Sequence, residues 1–184
     1  MQLTFQSPFD KNGVLYYLGT KGGTCAYQNP HTAGEVFAKM SSVASNSLSY
    51  GAPHRFVQHA IGEGSNYTNN DGNSWMSVDL GAGRSLVPNH YCLRHWDHAN
   101  NQALRNWRFE GSDDGATWVC LKDHRNDSTI PSQPRVVGHW ALESRGGYRH
   151  FRILQTGKST ANNHYLMCSG IEIYGVLRGP KSRF

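Results

Sequence analysis

This chain of 184 residues has few charged side chains and no long apolar run. Charged residues make up 17% of the sequence, whereas about a quarter is typical of soluble domains. No stretch approaches the roughly 20 apolar residues that a membrane helix needs, and the polar, mixed first residues do not resemble a signal peptide. We therefore expect a protein of the cytoplasm or nucleus.

Motifs for catalysis and for cofactor binding are also missing. The sequence contains no G-x-S-x-G nucleophile elbow, no phosphate-binding loop and no C-x-x-C pair among its four cysteines. The adjacent acids Asp113 and Asp114 are better explained by a turn, because they stand between Ser112 and Gly115. We expect a domain that is not an enzyme and that holds no cofactor.

Helical periodicity is scarce, and short strand-like runs take its place. These runs are separated by Gly, Asn, Asp, Ser and Pro, and their spacing predicts about eight short strands in a sandwich or barrel. In one run, Met76, Val78 and Leu80 fall on the same face, which is typical of a half-buried strand. We expect the polar segment 62–74 to be a surface loop. The runs lie at 14–18, 36–41, 75–80, 89–96, 107–111, 117–121, 136–142, 148–154 and 170–175.

Four of these segments point to one family. They are WMSVDLG at 75–81, FEGSDDGATW at 109–118, YRHFRI at 148–153 and IEIYG at 171–175. Together and in this order they resemble the discoidin domain, also called the coagulation factor V/VIII C-type domain, of the galactose-binding-like superfamily. The resemblance implies an all-β fold, a jelly-roll β-sandwich of about eight antiparallel strands.

The resemblance also divides the chain. It covers residues 34–176, so we interpret residues 1–33 as an N-terminal extension that packs on the sandwich and residues 177–184 as a tail or linker. By the family pattern, Trp118 packs into the core after the turn, and Trp75 plugs one end of the sandwich. Cys92 and Cys120 lie in strand-like runs, where we expect small buried residues.

The cysteines distinguish two branches of the family. Secreted members usually carry one cysteine near the start and another just beyond the final YG, and the two bridge the termini. Here Val176 follows Gly175, and Cys168 precedes the last strand. The sequence therefore resembles the intracellular branch, whose domains sit within large HECT-type ubiquitin ligases or beside BTB domains. We predict no structural disulfide.

The resemblance further implies that loops at one end of the sandwich carry the ligand site. Two loops there combine basic and aromatic side chains, and arginine and tryptophan are common in binding hot spots. The alternative is that the arginines pair with acids on the rim and the aromatic residues lie in the core. The predicted ligand-binding residues are His54, Arg55, Phe56, Arg94, His95, Trp96 and His98.

The net charge of +5 favours an acidic partner. Positive charge is scattered, as at Arg145, Arg149 and Arg152, which is typical of a solvated sheet face and does not indicate nucleic acid. The candidate membrane loop offers only Leu48 and Tyr50 as apolar groups, so we do not expect membrane binding. The leading interpretation is a module that recruits an acidic protein or peptide.

Two other functions stay open at this point. Aromatic and Asn-rich loops also suit a discoidin-type lectin that binds carbohydrate, and the domain could instead be purely structural. The sequence does not indicate an oligomeric state.

Metal binding has weak support. His90, His95 and His98 do not converge if this run is a strand followed by a loop, because alternate residues of a strand point to opposite faces. The oxygen-rich segment 69–73 could hold a structural calcium ion, although it has a single carboxylate and no EF-hand spacing. We expect no bound metal.

Overall fold

The structure is a computed structural model that describes residues 1–62, 64–95, 102–144 and 146–179. Within these ranges the chain forms nine strands and two short helices, together with a 3₁₀ turn at Ala44–Asn46. None of the described helices has the length and apolar character needed to cross a membrane. In chain order the elements are β1 Gln2–Leu3, α1 Val14–Gly19, β2 Phe37–Met40, α2 Pro53–Phe56, β3 Trp75–Asp79, β4 Ser85–Arg94, β5 Trp107–Ser112, β6 Val119–His124, β7 Val137–Ala141, β8 His150–Gln155 and β9 Gly170–Arg178.

The strands form two antiparallel sheets. One sheet has four strands in the order β1-β9-β4-β7, and the other has five in the order β2-β3-β8-β5-β6. Sequential strands alternate between the two sheets at several points, as in a jelly roll. The prediction of an all-β jelly-roll sandwich is therefore confirmed.

The core lies between the sheets and follows the alternation of each strand. Met76 and Val78 of β3 are buried beside Phe151 and Ile153 of β8, to which they are paired in register. Their neighbours on β3 point to the opposite, outer face. The predicted half-buried strand at 75–80 is thus observed, with Leu80 buried just beyond its end.

A buried group of aromatic and polar side chains connects the two sheets. Tyr91 of β4 stacks on Phe109 of β5 with ring centroids 4.2 Å apart. The Tyr91 hydroxyl accepts a hydrogen bond from Trp107 Nε1 at 3.0 Å and pairs with His124 Nε2 at 2.6 Å. His124 Nδ1 in turn lies 2.6 Å from the Asp127 carboxylate. Because these polar groups have partners, they can be buried at little cost.

The N-terminal segment lies on the outer face of the four-stranded sheet. Strand β1 pairs with β9, and helix α1 packs against β9. Phe5 stacks on His90 of β4 with centroids 3.7 Å apart and meets Tyr174 of β9 edge-on. This segment therefore covers polar and aromatic groups that would otherwise face solvent.

Residues 14–18, predicted as a strand, form helix α1, so that prediction is wrong. The reason lies far away in sequence: the Glu172 carboxylate accepts hydrogen bonds from the amides of Leu15 and Tyr16 at 2.8 and 3.0 Å. These amides are among the donors that a helix start leaves without a partner. Gly13 is required just before the helix, because a Cβ there would overlap the Glu172 side chain.

Three other expectations about packing are also wrong. Trp118 and Trp75 are half-buried on the outer face of the five-stranded sheet, not in the core or at one end of the sandwich. Cys120 is exposed because β6 is an edge strand whose alternation places it outside. By contrast, segment 62–74 is a loop as predicted, since its described residues form no helix or strand, and buried polar side chains anchor it: the Asn66 amide donates to Cys168 O at 2.8 Å.

The four cysteines form no disulfide, as predicted. All four are free thiols, with Cys92 and Cys168 buried and Cys25 and Cys120 exposed. Burial raises the pKa of the Cys92 thiol to about 12 and that of the Cys168 thiol to about 11. The two buried thiols therefore act as small apolar side chains and are poor nucleophiles at neutral pH.

Candidate ligand-binding surfaces

The predicted site lies at the loop-rich end of the sandwich, where β4 ends and β9 begins. Arg94, the last residue of β4, is buried. Its guanidinium donates hydrogen bonds to four backbone carbonyls at 2.7 to 3.1 Å. Arg94 therefore fixes two loops to the sheet, and its side chain is occupied within the domain. The four acceptors are the carbonyls of Gln58, His59, Ala60 and Ser169.

Two more of the predicted residues are also buried. Phe56, on helix α2, is 0% exposed and belongs to the core. His95 is buried too, and its backbone carbonyl accepts a hydrogen bond from Ser169 Oγ at 2.8 Å. Trp96 and His98 lie outside the described residues.

His54 and Arg55 are the predicted residues that stay partly exposed. Arg55 Nη1 donates to Ser65 O at 2.6 Å, and Arg55 and Arg94 line the same small crevice. Arg55 and Arg94 thus lie at one end of the sandwich, and among the described members of the predicted site His54 and Arg55 present side chains to a ligand. Ligand binding at this end stays a prediction.

Tyrosines form a second feature of this loop-rich end. Tyr67 lies between Tyr50 and Tyr165, with ring centroids 5.5 and 5.8 Å away. Leu48 on the neighbouring turn is 75% exposed. This tyrosine cluster (Tyr50, Tyr67 and Tyr165) gives the loop end an accessible aromatic edge.

A larger concave surface lies elsewhere, on the outer face of the five-stranded sheet. This outer groove has a volume of about 480 Å³. Strands β2, β3 and β8 form its floor, and the turn before β6 forms one wall. Its lining side chains are Phe37, Lys39, Trp75, Ser77, Asp79, Asp114, Trp118, His150 and Arg152, with Gly115 in the wall.

Strand register sets the positions of these side chains. Ser77 of β3 pairs with Lys39 of β2 on one side and with Arg152 of β8 on the other. In the next outward-facing row, Asp79 pairs with Phe37 and with His150. The polar and aromatic groups therefore stand in ordered rows across rigid strands, as a binding surface requires.

Ion pairs hold the charged groups of the groove in place. Arg149 Nε and Nη2 donate to the two Asp79 oxygens, each at 2.6 Å. Burial by itself would raise the pKa of Asp79, but hydrogen bonds from Arg149 and the Gly81 amide keep it below its usual value. Burial also lowers the pKa of His150, despite the nearby Asp79 carboxylate. Asp79 is thus ionised and His150 neutral at pH 7.

Arg152 and Trp118 form one wall of the groove. The Arg152 guanidinium lies over the Trp118 ring, 4.2 Å from its centroid. Arg152 Nε also donates to Glu110 at 2.6 Å, and this glutamate is almost fully buried. Stacking on an aromatic face and pairing with a carboxylate restrain the arginine in one orientation.

The outer groove was not predicted from the sequence, although one signal for it is present in strand β3. Since Met76, Val78 and Leu80 point inward, Trp75 and Asp79 must point outward from the same strand. The family motif had instead led us to place both tryptophans inside the fold. Without the strand register, nothing in the sequence shows that β2, β3 and β8 bring these residues together.

No group of three or more metal-ligating side chains occurs among the residues that the structure describes. Of the histidines considered for zinc, His90 contacts His139 at 3.1 Å between ring nitrogens, while His95 is buried elsewhere. In the proposed calcium loop, Asn69 Oδ1 already accepts a hydrogen bond from the Ser45 amide at 3.2 Å. A calcium ion at 69–73 stays an untested expectation.

Solved structures with this architecture define the class of fold. The chain is similar to CpGH89CBM32-5 of Clostridium perfringens, solved with GalNAc-β-1,3-galactose, at 12% identity over 77% of this chain and 96% of that one, with a TM-score of 0.60. It is also similar to the lectin domain of lectinolysin complexed with Lewis B antigen, at 18% identity over 76% and 92%, with a TM-score of 0.58. The domain therefore has the discoidin-type, galactose-binding-like fold, as its motifs predicted.

Similarity in sequence points to particular relatives. The chain is 34% identical over 181 residues to E3 ubiquitin-protein ligase Ufd4 of Drosophila melanogaster and 35% identical over 179 residues to E3 ubiquitin-protein ligase hecd-1 of Caenorhabditis elegans. These matches cover 96% and 95% of this chain but 6% of each ligase. No protein-family profile matches the chain.

A third relative is a BTB/POZ domain-containing protein of Arabidopsis thaliana. It is 30% identical over 182 residues, which cover 92% of this chain and 21% of that protein. The predicted resemblance to discoidin-like domains of ubiquitin ligases and BTB proteins is confirmed.

Proposed function

We propose that this domain is a non-catalytic module that recruits a protein partner or substrate to a larger ubiquitin ligase inside the cell, in the cytoplasm or nucleus. The outer groove is the observation that carries the proposal. It exposes parts of Trp75 and Trp118 on rigid strands, beside charged side chains in fixed orientations. Buried or half-buried tryptophan and arginine side chains dominate the binding energy of protein interfaces.

The chemistry of the groove favours binding over catalysis. The Asp79 carboxylate is held by Arg149, and the Asp114 carboxylate accepts three hydrogen bonds from its own turn. Neither acid is therefore arranged as a general base beside a nucleophile. The resemblance to small segments of two ubiquitin ligases is consistent with an accessory role for the domain.

Photo-crosslinking in cells tests the proposal. A photoreactive amino acid replaces Ser77 in the groove, or Lys21 at an exposed site outside it, in the full chain. We expect position 77 to capture particular proteins that position 21 does not capture, and we expect Trp118→Ala to abolish that capture. The same set of proteins at both positions would contradict the proposal.

Carbohydrate binding is a second candidate function. Several solved structures with this fold contain sugars, and the tyrosine cluster at the loop end offers aromatic faces of the kind that stack on sugar rings. A glycan array with the wild type and Tyr50→Ala tests this function. We expect signals that the variant loses if the loop end is a lectin site, and none from either protein if it is not.

A further inference from the structure

The acids of the outer groove accept hydrogen bonds from within the domain. Both Asp79 oxygens accept from Arg149, and one accepts from the Gly81 amide as well. Asp114 Oδ1 accepts from Ser112 Oγ and from the amides of Ala116 and Thr117, at 2.7 to 2.9 Å. Asp79 is therefore paired with a cation of the domain, and Asp114 is fixed in its own turn through one of its two oxygens.

The cations of the groove are in the opposite situation. Arg152 uses Nε to bind Glu110, whereas its two terminal nitrogens make no hydrogen bond within the described residues. Lys39 is exposed and has no ion-pair partner in that same part of the chain. The groove thus contains donors that a ligand with negative charge would satisfy.

These two cations stand in one row across the sheet. Lys39 and Arg152 both pair with Ser77, so one strand separates them. Adjacent strands are about 4.8 Å apart, which places the two backbones about 10 Å from one another. Along the strand direction, Trp75 lies on one side of this row and Phe37 lies on the other. The cationic row is therefore bordered by aromatic surface on both sides.

We propose that the outer groove binds an extended acidic peptide, which places carboxylates against Lys39 and Arg152 and an apolar side chain against Trp75 and Trp118. This inference rests on the proposed function and names the chemistry of the partner. The stacked, Glu110-anchored guanidinium presents a planar pair of N–H donors, and a carboxylate matches that geometry. A polyphosphate chain fits less well, because it has no apolar group to place against Trp75 and Trp118.

Selection from a random peptide library displayed on phage, with the full chain as bait, tests the inference. We expect the wild type to enrich peptides in which Asp or Glu lies near an aromatic or aliphatic residue. A synthetic peptide of the enriched sequence should bind on the order of 10-fold more tightly than its Glu→Gln counterpart. Affinity should also fall as salt screens the charges.

Two variants link the selected peptides to the groove. With Arg152→Gln as bait, acidic peptides should no longer be enriched, but this substitution also leaves the buried Glu110 unpaired and could unfold the domain. Lys39→Gln changes an exposed side chain. It should lower the affinity for the synthetic peptide severalfold and leave the stability of the domain unchanged. Lys21→Gln, at an exposed site outside the groove, should bind like the wild type.

Three results would overturn the inference. They are enriched peptides without acidic residues, equal binding of the synthetic peptide by the wild type and Lys39→Gln, and direct binding of an oligogalacturonate without any binding of peptide. If photo-crosslinking at position 77 still captures proteins, such a result rejects the acidic peptide and leaves protein recruitment standing. Loss of the crosslinks as well would reject both.

Discussion

The outer face of the four-stranded sheet is covered by the N-terminal segment, whereas the outer face of the five-stranded sheet forms an open groove. Both faces carry charged and aromatic residues on alternate strand positions. On the covered face, Glu172 receives amide donors from helix α1, and Phe5 stacks on His90. On the open face, Arg149 and Arg152 pair with acids of neighbouring strands.

The comparison shows how the same sandwich can use one outer face for stability and the other for binding. Glu172 is 1% exposed and depends on another segment for its partners. The side chains of Arg149 and Arg152 are 35% and 19% exposed and find partners within their own sheet. Substitutions on the covered face should therefore affect folding, while those on the open face should mainly affect binding.

The largest expected effect comes from the packing of α1. Leu15 is 1% exposed, so Leu15→Ala should reduce the free energy of unfolding by about 2–5 kcal/mol. Phe37→Ala is the matched control on the open face, because Phe37 is 51% exposed, and it should change stability by less than about 0.5 kcal/mol. Urea unfolding measures both. Similar losses in the two variants would contradict the comparison.

Removal of the buried carboxylate should have the next largest effect. Glu172→Ala leaves the amides of Leu15, Tyr16 and Ile173 without their acceptor. One buried donor without a partner costs about 1–3 kcal/mol, so we expect at least that loss of stability in thermal or urea unfolding. The control is Asp123→Ala on the other sheet, whose exposed pair with Arg125 is screened by solvent and should contribute little to stability.

The same glutamate should make stability depend on pH. Burial raises the pKa of Glu172 to about 8 in the folded protein, although three amide hydrogen bonds lower it. Between pH 4.5, the ordinary pKa of a glutamate, and about pH 8, the folded state binds more protons than the unfolded state. This contribution to stability is present below pH 4.5 and is lost as the pH rises toward 8.

Glu172→Gln isolates this effect, because the amide does not titrate. Relative to the variant, the wild type should lose on the order of 1 kcal/mol of unfolding free energy per pH unit between pH 5 and 8. Urea unfolding at pH 5, 6.5 and 8 measures the difference. Parallel pH profiles of the two proteins would show that Glu172 has the same affinity for protons in both states.

The smallest effect is expected for a tryptophan on the open face. Trp118 is half-buried and stacks on Arg152, and a cation–π contact at such a site is worth about 0.5–1 kcal/mol. Trp118→Ala should therefore lower stability by about that amount. Trp107, which is 0% exposed on strand β5, is the control, and its replacement by alanine should lower stability by about 3–5 kcal/mol. Equal losses would place Trp118 in the core after all.

The sequence predicted those parts of the fold that depend on local alternation. Strands β3, β8 and β9 were recognised because inward and outward residues alternate within a few positions. Helix α1 was mistaken for a strand, because its first turn depends on Glu172, about 157 positions away. No local pattern contains that contact.

The candidate surfaces were harder to predict, for a related reason. Arg94 looked like a ligand residue because basic and aromatic side chains adjoin it, yet it binds carbonyls of distant loops. The outer groove depends on the register of three strands from separate parts of the chain. Composition identified the right types of residue for binding and did not show which of them face solvent.

The pairing of β1 with β9 has a mechanical consequence. The Leu177 amide donates a hydrogen bond to the Met1 carbonyl at 2.9 Å. The first and the last strand of the domain therefore lie side by side at one edge of the four-stranded sheet. Tension applied through flanking chain at both ends would load the hydrogen bonds between these strands one after another, as a zipper opens. In this geometry β1 would detach before the sheets separate. A pull along the chain would thus uncover the Glu172 face first and leave the groove intact.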